Sequence, residues 1–227
     1  EYVNSWGLYD DTLYDFTADE IRRLNEEDNG PWAVVNLSIA GHAPSGFPSQ
    51  TCQDRQGEFD GQDILYSVEC SARQARDFIE QLEQEGLLEN TLVVVLSDHL
   101  TMRVSVWDQL TALDRDNTLI MLGDGIRPQR VRRSATMLDV FPTILDAMGL
   151  PLNDNRAGLG ASLLSSQPTL VETHGLETLN ERLREETALQ HRLWEGLAPQ
   201  RRESEESIAE QVTETPADLA DEVEIMH

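Results

Sequence analysis

Apolar side chains along the chain are spaced in two ways, one typical of strands and one typical of helices. Residues 32–39 (WAVVNLSI), 90–96 (NTLVVVL) and 117–122 (NTLIML) are short runs that contain several β-branched or large apolar residues, and each has the length of a strand. The unbroken valines of the second run predict a strand that is buried on both faces, as in a parallel sheet covered by helices.

Four other stretches have helical spacing. Residues 67–84 predict a helix with one buried face, formed by Val68, Ala72, Ala75, Phe78, Ile79 and Leu82. Residues 17–27 predict a helix capped by Thr17, residues 135–148 a helix that contains Pro142, and residues 176–197 a charged helix. Because strands alternate with helices, the sequence predicts an α/β fold with a layered, mostly parallel sheet and helices on both faces.

The last part of the chain has a different composition. Residues 203–227 carry nine acidic residues and no arginine, with few large apolar groups. Such a segment buries too little apolar surface to offset the entropy lost on ordering. We therefore predict a disordered acidic tail at 203–227 and a folded body at 1–202.

Charge restricts the possible partners. The net charge is −25, and all 17 basic residues are arginine. Neutralising phosphates requires clustered positive charge, so the composition excludes a nucleic-acid-binding role and argues against adsorption to an anionic membrane surface. The chain has no run of 18 apolar residues, so it predicts no transmembrane helix within its own length.

The candidate chemistry lies at the ends of the predicted strands. Asp98 and His99 follow the second strand directly, and His42 follows the first. A carboxylate and an imidazole side by side can bind one divalent cation such as Mn²⁺ or Zn²⁺. The alternative for the Asp98–His99 pair is a turn with a hydrogen-bonded histidine, and the alternative for His42 is an ordinary loop residue.

Several segments together resemble a known family. Residues 91–102 (TLVVVLSDHLTM) resemble the metal-binding strand end of the alkaline phosphatase/sulfatase superfamily, in particular of the phosphoglycerol transferases that modify periplasmic glucans, which are related to the lipoteichoic acid synthases. Residues 4–11 (NSWGLYDD), 37–44 (LSIAGHAP), 138–145 (LDVFPTIL) and 158–164 (GLGASLL) resemble further segments of that family in the same order. The similarity covers roughly residues 1–170.

The resemblance implies a fold and a reaction. The fold would be that of the alkaline phosphatases and sulfatases, incomplete in this chain. Asp98 and His99 would bind a single divalent metal ion, with Mn²⁺ expected, and His42 would contact the phosphoglycerol head group or the leaving oxygen. Phosphoglycerol would pass from phosphatidylglycerol to a periplasmic glucan through a covalent phospho-threonine intermediate.

The resemblance also implies that part of the site lies elsewhere. The family's nucleophilic threonine and a glutamate metal ligand precede the segment that matches residues 4–11, so this chain is expected to be a C-terminal part that is inactive alone. The full-length protein would be periplasmic and anchored to the inner membrane through its N-terminal segments. The alternatives are a sulfatase or phosphoethanolamine transferase relative, or a non-catalytic binding module that keeps the fold.

Two further groups have alternative interpretations. Cys52 and Cys70 could form a disulfide or remain two buried thiols, and the resemblance to a periplasmic family favours the disulfide. The one basic cluster could bind an anionic head group, but a solvated connection with local salt bridges is favoured. Its members are Arg127, Arg130, Arg132 and Arg133.

Overall fold

The computed structural model describes residues 2–27, 30–52, 63–188 and 191–192. The chain divides into two compact units, one formed by residues 1–131 and 143–152 and the other by residues 132–142 and 153–227. The predicted acidic tail at 203–227 lies outside the described residues, so its disorder stays a prediction.

The first unit contains a small hairpin, two long helices and a two-stranded ribbon. In chain order its elements are β1 (Val3–Asn4), β2 (Gly7–Leu8), α1 (Asp10–Glu27), α2 (Asp63–Gln84), β3 (Val93–Leu96), α3 (Trp107–Leu110) and β4 (Leu119–Leu122). None of the helices in the described part of the chain combines the length and the apolar character needed to cross a bilayer.

Helix α1 begins seven residues before its predicted start. Thr17 does not cap the helix, as predicted, but lies inside it, where its hydroxyl donates to the carbonyl of Leu13 over 2.7 Å. The first turn instead carries Asp10 and Asp11, whose negative charges favour the positive end of a helix. The sequence pattern missed this start because residues 10–16 contain few regularly spaced apolar side chains.

The core of the first unit lies between the two long helices. Ala18 and Ile21 of α1 pack with Leu82 of α2, and five partly buried side chains surround them: Trp32, Val34, Phe78, Leu87 and Leu88. The predicted inward position of Phe78 agrees with this packing. The helix predicted at 67–84 is present and begins four residues earlier, at Asp63.

The two paired strands of the ribbon run antiparallel. Val93 lies opposite Leu122 and Leu96 opposite Leu119, so the expected parallel arrangement is wrong for this pair. The connection between them contains only the short helix α3, whereas a parallel crossover usually carries a full helix. Residues 32–39, predicted as a strand, pair with no other strand among the described residues.

The second unit is held together around a buried carboxylate. A 3-10 turn (Met137–Asp139) begins with a capping box between Thr136 and Asp139, and Asp139 also accepts the backbone N–H of Ala161 over 2.9 Å. Gly160 is needed beside it because a Cβ there would lie 1.9 Å from the carbonyl oxygen of Leu138. Two segments that resemble the family are therefore joined directly.

The remaining elements are three helices of five to ten residues and two short strands. They are α4 (Val140–Ala147), β5 (Arg156–Ala157), β6 (Gly160–Ala161), α5 (Leu170–His174) and α6 (Leu176–Glu185). The helix predicted at 135–148 is thus a 3-10 turn followed by α4. Pro142 lies in the first turn of α4, directly after the 3-10 turn.

Candidate functional site

A buried carboxylate positions the segment that carries His42. The side chain of Asp10, at the start of α1, is fully buried and accepts the backbone N–H of Ile39 over 2.8 Å and that of Ala40 over 3.2 Å. The hydroxyl of Ser71 on α2 donates to the same carboxylate over 3.2 Å. The chain is therefore fixed two residues before His42, between the two long helices.

The turn that follows is fixed by backbone hydrogen bonds. The N–H of His42 donates to the carbonyl of Ile39, and the N–H of Gly46 donates to the carbonyl of His42, both over 3.0 Å. Gly46 has a φ of +81°, and a Cβ there would lie 2.3 Å from the hydroxyl oxygen of Ser67. Only glycine fits this position without displacing the turn.

Two neighbouring groups orient the imidazole ring of His42. Its Nδ1 lies 2.7 Å from the carbonyl oxygen of Ala43, which assigns the Nδ1 proton as the donor and leaves Nε2 for a ligand. The indole of Trp6, in the turn between β1 and β2, lies against the imidazole with ring centroids 4.2 Å apart. Trp6 is 58% exposed, so the two rings form an accessible aromatic surface.

Asp98 and His99 form a second exposed group just beyond β3. The Oδ2 of Asp98 and the Nε2 of His99 are 3.4 Å apart, and the two side chains are 68% and 59% exposed, respectively. The Nδ1 of His99 lies 2.8 Å from the carbonyl oxygen of Leu100, and the His99 N–H donates to the Asp98 Oδ1 over 2.9 Å. Both side chains are thus held by neighbouring backbone groups.

This arrangement fits two ligands of one cation. With metal–ligand distances of about 2.0–2.2 Å, two ligands of a tetrahedral ion such as Zn²⁺ lie roughly 3.3–3.6 Å apart, a range that includes the 3.4 Å between the Asp98 and His99 atoms. A metal-binding histidine usually donates its other ring N–H to a carbonyl or carboxylate, as His99 does toward Leu100. Within the described ranges, His, Cys, Asp and Glu side chains form no group of three or more that could hold a metal ion.

The structure does not join the two candidate groups by direct contact. Among the described residues, no hydrogen bond or ion pair links His42 to Asp98 or His99. Each group follows an apolar run, as the sequence predicted. Their convergence on one site stays a prediction.

A disulfide fastens the region after His42 to α2. Cys52 and Cys70 are bonded, with their Cα atoms 5.8 Å apart, and they pack against the buried ring of Tyr66. On the same side, Gln74 of α2 donates to the hydroxyl of Thr51 over 2.9 Å. The loop side of the His42 turn is therefore attached to α2 covalently and by hydrogen bonds.

Several ionisable groups outside these sites have shifted pKa values, among them Tyr14 and Glu172. Burial raises the pKa of Tyr14 on α1 to about 12. In the second unit, the Arg133 guanidinium lowers the pKa of Glu172 to about 2, over a contact of 2.6 Å. Arg133 also donates to the carbonyls of Ser165 and Gln167, so this member of the basic cluster has a structural role.

The sequence interpretation gave no individual role to Asp10 or Trp6. Both lie in residues 4–11, which were noted only for their resemblance to the family. Helical periodicity carries no information on a contact between Asp10 and residues 39–40, about 30 positions away. The signal that the sequence offered was the acidic pair Asp10–Asp11 itself, since adjacent carboxylates favour the start of a helix.

Comparison with known proteins adds the family context. The family model described as Sulfatase matches residues 1–150, which include His42, Asp98 and His99. The chain is 34% identical over 169 residues to phosphoglycerol transferase I of Citrobacter koseri and to that of Escherichia fergusonii, and 32% identical to that of Salmonella paratyphi B. In each case the match covers 73% of this chain and 22% of the relative, so the chain spans about a fifth of the relatives' length. No solved structure matches the chain.

Proposed function

We propose that this chain, which belongs to the sulfatase family, is the C-terminal part of a phosphoglycerol transferase. The observation that carries the proposal is the 34% identity to two proteins named phosphoglycerol transferase I, over 73% of the chain. The donor is phosphatidylglycerol and the acceptor is a periplasmic glucan, the substrates implied by the family resemblance. The complete enzyme has the layered parallel sheet of its superfamily and acts in the periplasm, anchored to the inner membrane.

Asp98 and His99 hold one divalent metal ion in this proposal, with Mn²⁺ expected. When bound, the ion supplies Lewis-acid chemistry that neutralises charge on the phosphoryl oxygens. Support comes from the 3.4 Å separation of their ligand atoms and from the Leu100 carbonyl, which orients the His99 ring. Since the described residues offer only these two ligands together, we expect the isolated chain to bind Mn²⁺ weakly.

His42 binds the substrate in the same proposal. Its Nε2 is the free ring nitrogen, and it contacts the phosphoglycerol head group or the oxygen that leaves with the lipid. Trp6 and the Ala43 carbonyl hold the imidazole plane in place, and Asp10 fixes the backbone that carries it. This chain therefore supplies head-group binding and metal ligation.

The nucleophile belongs to the part of the enzyme outside this chain. A threonine oxygen attacks the phosphorus, the bond to the lipid oxygen breaks, and diacylglycerol leaves with a proton. A glucan hydroxyl then attacks the same phosphorus and releases the threonine. We expect the isolated 227-residue chain to be inactive because no threonine here matches the position of the family's nucleophile.

Activity measurements on the complete gene product test the proposal. With head-group-labelled phosphatidylglycerol, a β-glucan acceptor and Mn²⁺, the unaltered protein should transfer label to the glucan. Asp98→Ala and His99→Ala should each lower that rate about 100-fold or more, the effect of losing several kcal/mol of charge stabilisation. Asp124→Ala is the matched control, because Asp124 is also exposed but follows β4, at the opposite end of the ribbon.

Two outcomes would contradict the proposal. Full activity of Asp98→Ala or His99→Ala in chelator-treated buffer resupplied with Mn²⁺ would remove the ligand assignment. Release of sulfate from an aryl sulfate, with no transfer of phosphoglycerol, would favour the second candidate, a sulfatase, which the name of the matching family model supports.

A further inference from the structure

A second apolar cluster of the first unit connects the two segments that carry the candidate ligands. Its buried members are Ile64, in the first turn of α2, and Val104 and Val106, in the chain that follows β3. Ala43, the residue directly after His42, packs against the same cluster. The turn that carries His42 and the chain beyond β3 therefore meet on the surface of α2.

On the side of His42, the cluster contacts the residue that orients the imidazole. The carbonyl oxygen of Ala43 lies 2.7 Å from the Nδ1 of His42, while the Ala43 side chain packs on the cluster. Any shift of Ala43 therefore moves the acceptor of the hydrogen bond that orients the ring. Ile64 belongs to α2, the helix that also carries Cys70 of the disulfide, so this contact lies on a well-anchored helix.

On the other side, two contacts restrict the chain between His99 and the cluster. Arg115 donates to the carbonyl of Thr101, two residues after His99, and its guanidinium lies over the Trp107 ring, 4.9 Å from the centroid. The N–H of Trp107 donates to the carbonyl of Val104 over 3.1 Å. The chain from Thr101 to Trp107 is therefore held at both ends, and Val104 between them is held in the cluster.

We propose that this cluster fixes the position of His42 relative to Asp98 and His99, with Val104 as its positioning residue. Val104 lies five residues after His99 and is the first buried residue beyond β3 in the described part of the chain. It packs in the same cluster as Ala43, so it connects the exposed pair to the His42 turn. The inference rests on the proposed function, in which these three ligands act on one phosphodiester, and a displacement of about 1 Å between reacting groups can cost about 100-fold in rate.

The variant Val104→Ala in the 227-residue chain tests the contact without metal or substrate. Loss of two methyl groups opens space beside Ala43, so the imidazole NMR signals of His42 and His99 should both shift at a fixed pH. Ile21→Val is the matched control, because it also removes buried apolar volume, but from the core between α1 and α2. Both variants should lower the melting temperature by about 2–5 °C, and only Val104→Ala should move the imidazole signals.

Rates of the complete gene product give the second measurement. Val104→Ala should lower kcat for phosphoglycerol transfer about 10-fold or more, because the ligands remain but are displaced. The KM for phosphatidylglycerol and the Mn²⁺ concentration that gives half the maximal rate should change less than about 2-fold, since Asp98, His99 and His42 are all retained. Ile21→Val should keep the kcat of the unaltered protein, which separates positioning from a general loss of stability.

The proposal and the proposed function fail in different ways. An unchanged imidazole signal of either histidine in Val104→Ala, or equal shifts in Ile21→Val, would overturn the positioning role. So would an unchanged kcat of Val104→Ala in a protein that transfers phosphoglycerol. A complete gene product without any such transfer would instead refute the proposed function, and the NMR comparison would still decide whether the cluster positions the two groups.

Discussion

Replacing the buried carboxylate of Asp10 should destabilise the first unit more than any comparable change on the surface of α1. The side chain is fully buried and accepts the N–H groups of Ile39 and Ala40 and the hydroxyl of Ser71. Asp10→Ala removes the acceptor and leaves the N–H groups of Ile39 and Ala40, one part-buried and one buried, without this partner. Asp15→Ala is the matched control, since Asp15 is exposed on the same helix and has no hydrogen-bond or ion-pair partner among the described residues.

The contacts give the size of the effect. A hydrogen bond to a charged group contributes about 1.5–3 kcal/mol, so two backbone bonds to Asp10 predict a loss of about 3–6 kcal/mol in the free energy of unfolding. Asp10→Asn keeps one acceptor oxygen and should cost about 1–2 kcal/mol. Asp15→Ala should change stability by about 0.5 kcal/mol or less, as surface substitutions usually do.

Urea unfolding followed by tryptophan fluorescence measures these differences, and Trp6 beside His42 gives a local signal. Asp15→Ala should unfold at the same urea concentration as the unaltered chain. Asp10→Asn should unfold at a lower urea concentration and Asp10→Ala at the lowest, while the dependence of the free energy on urea stays similar in all four proteins. If the free energies of unfolding of Asp10→Ala and Asp15→Ala differ by less than about 0.5 kcal/mol, the carboxylate does not hold residues 39–40 and does not position His42.

Three further predictions concern other parts of the structure. Replacing Cys52 and Cys70 by serine should lower the free energy of unfolding by about 3 kcal/mol, and a reducing agent should have the same effect on the unaltered chain but none on the variant. Because Arg133 lowers the pKa of Glu172 from 4.5 to about 2, the pair should stabilise the second unit above pH 4.5, and this contribution should disappear as the pH falls toward 2. In Glu172→Gln the unfolding midpoint should therefore depend less on pH over that range. Gly160→Ala should reduce the soluble yield and melting temperature sharply, because its Cβ would collide with a backbone carbonyl, and an unchanged melting curve would contradict the packing described here.

Local patterns predicted the elements whose signal lies within a few neighbouring residues. The helix at 67–84 and the strands at 90–96 and 117–122 are all present, with ends shifted by up to four residues. The predicted start of α1 was seven residues too late, because polar residues at the beginning of a helix do not show apolar spacing. The relative direction of β3 and β4 was also wrong for this pair, since direction depends on the path of the connection between them and not on either strand alone.

The candidate site was predictable only as a set of separate positions. His42, Asp98 and His99 were found because reactive side chains follow apolar runs, and the structure places each of them beyond such a run. The residues that hold His42 in place were not predictable in this way. Asp10 acts on residues 39–40, and Trp6 packs on His42 from 36 positions away, so both contacts exist only after the chain has folded.

The two units use acidic side chains for the same structural purpose, so the carboxylates behind the net charge of −25 do not all have the same role. Asp10 and Asp139 are buried, and each accepts a backbone N–H from a segment more than 20 residues away, at Ile39 and at Ala161. These carboxylates fix loops and cannot serve a ligand in solution. Asp98, in contrast, is exposed beside His99 and makes its closest contacts within its own turn. A carboxylate whose oxygens face solvent next to an imidazole remains available to a cation, so burial distinguishes the two aspartates with a structural role from the one that we propose binds metal.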